Sequence, residues 1–75
     1  MTTRLDGSDF MDEALLTAFD CAIEERTEVD LKHEGLVYLG CLIVKVDREN
    51  RMLIVHTTRD HSLSFDGVED YYFHV

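Results

Sequence analysis

The chain has 75 residues, 45% of them hydrophobic and 31% charged, with a formal net charge of -9. That length predicts one domain, residues 1–75, with a small core, because a domain near this size buries only about 60% of its unfolded surface. Ordinary hydrophobic content excludes a disordered acidic tail, the lack of clustered Lys and Arg excludes direct nucleic-acid binding, and no apolar run approaches the roughly 20 residues that span a membrane.

Residues 1–7 carry no apolar signal-peptide core, so a cytoplasmic protein is expected. Ser8 or Asp9 suits the N-cap of a helix over residues 8–26. Met11, Leu15, Phe19, Ala22 and Ile23 recur at helical spacing, widened by Leu16 and Ala18. Asp9, Asp12 and Glu13 fall in the first turn, where the helix dipole favours negative charge. The outward face carries Asp9, Asp12, Asp20 and Glu24, all expected to face solvent.

From Thr27 to Glu34 the chain alternates, with Val29, Leu31 and His33 on one face of a strand. Glu34-Gly35 turns it into the stretch around which the rest is organised, Leu36 to Val55. Two aliphatic runs flank the polar Asp47-Arg48-Glu49-Asn50, the pattern of a hairpin. Gly40 inside the first run predicts a bulge or sharp bend, the device by which small barrels turn corners. Leu42, Val44 and Val46 alternate with Cys41, Ile43 and Lys45, and both faces are apolar in places. A solvated face would be more polar, so something covers part of it: the helix first, a homodimer partner second.

Residues 58–62 predict a polar turn, after which Leu63 and Phe65 point inward. Asp66-Gly67 breaks the strand and Val68 tucks back as a plug. A last strand over 70–75 puts Tyr71 and Phe73 in the core and Tyr72 and His74 on the other face. The expected fold is α+β: an N-terminal amphipathic helix packed on a five-stranded, strongly bent antiparallel sheet or small Sm-like barrel over residues 27–75.

Three segments resemble the YolD-like family of bacterial and phage proteins. Ile43-Val44-Lys45-Val46-Asp47 is similar to the family's Ile-x-x-Ile-Asp pattern. Asn50 to Val55 resembles its returning strand, and Leu63 to Tyr71 its Ile-Pro-Phe-Asp-x-Ile-x-x-Ile ending. Gly40 stands one place before the family's strand glycine, and Arg48 and Ser64 replace its prolines. The resemblance implies a small Sm- or SH3-like barrel and an association with SOS and translesion-polymerase machinery. It implies no catalytic residues.

No catalytic constellation emerges. Cys21 and Cys41 lie among apolar neighbours twenty residues apart and are expected to be reduced, packed as small apolar residues and zinc-free. His56 and His61 form the only close histidine pair, too few ligands for a zinc site. No Gly-rich phosphate loop is present, and a chain this short has little room for a pocket. No enzyme activity and no cofactor are therefore expected.

Charge points to a partner instead. Residues 1–30 hold nine acids and two bases, residues 31–58 three acids and four bases, and residues 59–75 four acids and one base. Acidic ends around a near-neutral hairpin suit a basic protein surface, such as that of a nucleic-acid-binding protein. The expected contact residues are Asp9, Asp12, Asp20, Glu24, Asp66, Glu69 and Asp70, with Tyr72 as an apolar anchor. Two functions remain open: a YolD-like protein-binding accessory module, or a small acidic phage-encoded inhibitor of the DNA-mimic or anti-CRISPR type.

Overall fold

The computed structural model describes residues 13–75. The proposed N-cap Ser8 or Asp9, Met11 and the acids Asp9 and Asp12 lie outside the described residues. The elements are helix α1 (Glu13–Glu25) and strands β1 (Glu28–His33), β2 (Leu36–Asp47), β3 (Met52–His56), β4 (Asp60–Ser64) and β5 (Val68–Phe73), with a single 3₁₀ turn at Phe65–Gly67. All strand pairs are antiparallel, in the order β4-β3-β2-β1-β5. The fold is therefore one helix packed on a five-stranded antiparallel sheet, and β4 and β5 do not pair to close it.

The helix forms because its apolar residues fall on one stripe. Leu15, Leu16, Phe19 and Ala22 are buried and Ile23 is half-buried. Its end is a Schellman motif: Thr27 N–H donates to the Ala22 carbonyl at 3.0 Å and Arg26 N–H to that of Ile23 at 3.4 Å. Arg26 holds the left-handed position that this motif requires, at φ 56°.

Glu34 and Gly35 both have positive φ, 50° and 85°, and join His33 to its cross-strand partner Leu36. This is the turn geometry that matches the twist of a tight hairpin. Two bulges then bend β2. Opposite Asp30, the register slips by one at Leu39 and Gly40, with Gly40 at φ 61°, as expected from the glycine. A second slip lies between Ile43 and Lys45. It breaks the simple alternation expected for this run: Cys41 and Ile43 are buried, Val44 is exposed, and Val46 packs against the core with Lys45 outside.

The core gathers Phe19, Val29, Leu31, Cys41, Leu53, Val55, Leu63, Phe65 and Val68. Phe19 meets the rings of Tyr71 and Phe73 at 6.2 and 5.3 Å. Three expectations need correction. Residues 60–62, read as turn, already belong to β4, because Asp60, His61 and Ser62 pair with His56, Val55 and Ile54. The last strand begins at Val68 rather than Asp70. Tyr71 is exposed rather than buried; its ring lies at the core margin, edge-on to Phe19 of α1.

Candidate functional site

The expected contact acids fall into two groups. The first surrounds the β2–β3 loop. Arg48 Nε donates to Glu13 Oε2 at 3.0 Å, and its Nη2 donates to Glu13 Oε1 at 3.2 Å and Asp20 Oδ2 at 2.9 Å. Arg51 Nη2 donates to Asp66 Oδ1 at 2.9 Å, and Arg51 Cζ lies 5.5 Å from the Phe65 ring centre. Asp20, expected to be a free solvent-facing acid, is thus bound to a guanidinium brought in by the hairpin. The loop is itself braced by Asp47, whose carboxylate accepts from Asn50 N–H at 3.1 Å and Asn50 Nδ2 at 2.9 Å. Those bonds lower the Asp47 pKa, the side-chain bond most strongly. Glu24 is exposed near the end of α1.

The second group lies on the face of β1 and β5 turned away from the core. Lys32 pairs across the strands with Val37 on one side and Asp70 on the other, and Asp30 pairs with Tyr72. A shallow depression of about 200 Å³ runs between these residues and is lined also by Leu31 and Tyr71. Tyr72 is 62% exposed, its ring edge-on to His74 at 5.0 Å. Lys32 Nζ reaches Glu69 at 3.9 Å. Asp70 and Tyr72, with Glu69 beside them, are the contact residues that the fold does bring together.

Asp30 fixes this face and was missed in the sequence, where it looked like one more outward acid of an alternating strand. Its Oδ1 accepts the Gly40 N–H at 2.7 Å and lies 2.9 Å from His74 Nε2. The bulge turns that N–H toward β1, and the bond, followed by the His74 contact, lowers the Asp30 pKa. Only the bulge at Gly40 hinted at a nearby acceptor.

The cysteines differ. Cys41 is buried and its Sγ–H donates to the Val29 carbonyl at 3.1 Å. Burial pushes its pKa up to about 11. Cys21 is exposed, contrary to the expected packing, because it lies off the buried stripe of α1. Among the described residues no group of three His, Cys, Asp or Glu side chains is arranged to hold a metal ion, and no helix is long and apolar enough to cross a membrane. His56 Nδ1 meets Asp60 at 2.8 Å and His61 Nε2 meets the Thr57 hydroxyl at 3.0 Å, so the two imidazoles serve separate contacts.

No protein-family model, curated protein or solved structure matches this chain.

Proposed function

We propose that the chain is a non-enzymatic protein-binding module whose contact surface is the outer face of β1 and β5. One observation carries this reading: a largely exposed tyrosine, Tyr72, beside a shallow depression walled by Asp30 and Asp70. An aromatic anchor within a charged rim is the anatomy of a protein contact. The carboxylates select a partner whose complementary surface is basic, such as that of a nucleic-acid-binding protein.

The YolD-like resemblance supports an accessory role beside DNA-repair machinery and implies a small Sm-like barrel, with which an antiparallel sheet in the order β4-β3-β2-β1-β5 is compatible. The alternative of a phage inhibitor mimicking DNA is less well supported. Asp20 and Asp66, two of the acids it needs as phosphate stand-ins, are already paired with Arg48 and Arg51.

A displayed library of random peptides, panned at low and high salt, tests the proposal. The wild type should enrich Lys- and Arg-rich sequences at low salt, and Tyr72→Ala and Asp70→Lys should each lose that enrichment. Enrichment without basic residues, or enrichment that both variants keep, rejects it.

A further inference from the structure

β2 outruns β3. The last pair between them is Leu42 with His56, after which β3 turns away at Thr57. Residues 36–41 therefore have β1 on one side and, among the described residues, no strand on the other. The tight turn makes His33 and Leu36 its closing pair, so the alternation of an antiparallel ladder turns the N–H and C=O of Val37 and Leu39 toward the open side. The side chains are apolar as well: Val37 is 60% and Leu39 71% exposed.

The outer edges of the sheet are guarded. On β5 the Tyr71 N–H is held by the Asp70 carboxylate at 2.8 Å. On β4 the Ser64 carbonyl accepts from His33 Nε2 at 3.1 Å, and Asp60 stands at the strand's start. Own side chains on edge groups and charges at the edge are how proteins prevent strand addition. Among the described residues, no side chain holds the outward N–H or C=O of Val37 or Leu39 and neither residue is charged, although the bulge at Leu39 and Gly40 bends the end of this edge.

Its charge pattern selects the occupant. Gly35 to Val44 contains no charged residue in a chain of net charge -9. A charged partner gains nothing there, and the segment matches itself. We propose that the overhang pairs antiparallel with the same segment of a second copy, about a two-fold axis at Tyr38. Val37 then faces Leu39 of the other copy and Leu39 faces Val37, so the backbone groups left open are satisfied and four aliphatic side chains meet. Such an isologous contact closes at two chains. Val37 also lines the depression beside Tyr72 whereas Leu39 does not, so the two surfaces are separable at Leu39.

Sedimentation velocity of the full chain over a range of concentrations tests it. The wild type should reach twice the chain mass, and Val37→Lys/Leu39→Lys should stay monomeric with an unchanged circular-dichroism spectrum. The register has its own readout in a Cys21→Ser background. Val37→Cys mixed with Leu39→Cys should form a disulfide-linked dimer on oxidation, and neither variant should do so alone. A wild type monomeric throughout, a dimer that survives the two lysines, or equal cross-linking by a single variant overturns the proposal.

Discussion

At the scale of single residues, surroundings separate side chains that the sequence makes look alike. Cys41 has its thiol against a carbonyl inside the core and its pKa raised, whereas Cys21 is exposed. A thiol reagent at mildly alkaline pH should therefore label Cys21 in the folded protein, and both cysteines only in denaturant, as read by intact mass; labelling of Cys41 without denaturant would contradict the burial. The sequence did not distinguish them because both have apolar neighbours. On a helix, however, two positions beyond Phe19 is about 200° around the axis, which carries Cys21 off the buried stripe. Core positions in strands were legible, since alternation alone points Leu53, Val55 and Phe65 inward. Leu53 is fully buried, and Leu53→Ala should cost about 2–5 kcal/mol in denaturant unfolding. Asp30 gives a pH signature. Its pKa is lowered in the fold, so the stability it contributes is complete above the usual carboxylate range and is lost as pH falls through the lowered value. Asp30→Asn keeps an acceptor for Gly40 but no charge. Stability curves of the two proteins should meet in strong acid and separate toward neutral pH; a constant offset at every pH would show that the charge is not what matters.

At the scale of elements, the helix and hairpin were legible because each has a long periodic pattern, and the misses fall where tertiary contacts override local preference. Residues 60–62 are polar and resemble a turn, yet their backbone completes a ladder with β3. The bulge near Val44 carries no glycine to announce it. The Arg48 clamp joins residues 28 and 35 apart in sequence, a separation at which no spacing rule applies. The clamp changes how the helix acids should be probed. Reversing Asp20 to Lys breaks the attachment of α1 to the β2–β3 loop as well as changing surface charge, so any binding loss must be read against an Arg48→Ala control. The helix end offers a cleaner test. Arg26 adopts a left-handed conformation in a motif that glycine fills best. Arg26→Gly should raise stability by about 1 kcal/mol, seen as a higher denaturant midpoint at unchanged slope. A lower midpoint would mean that the side chain of Arg26 contributes more than its backbone costs.

At the scale of the whole molecule, charge and shape make opposite demands on the two proposed surfaces. A chain of net charge -9 repels its own copy at every orientation, and this repulsion is strongest where screening is weakest. The β2 overhang is uncharged, so salt removes the repulsion between two chains without weakening the contact itself. Dimerisation should therefore strengthen as salt rises from low to physiological levels. Attraction between the Asp30, Asp70 and Tyr72 face and a basic partner is electrostatic in its steering and should weaken over the same range. Salt also weakens the exposed pairs of Arg48, Arg51 and Lys32, but each such pair contributes only about 0–1 kcal/mol, too little to govern either slope. Self-association and binding of a Lys- and Arg-rich peptide, measured on one preparation across one salt series, should thus have slopes of opposite sign. Leu39→Lys, at a position outside the depression that Val37 helps to line, should abolish the first and leave peptide binding with the wild-type sign of slope, and Tyr72→Ala should do the reverse. If both processes weaken together as salt rises, dimer contact is made through charges, and the neutral strand edge is not where the two chains meet.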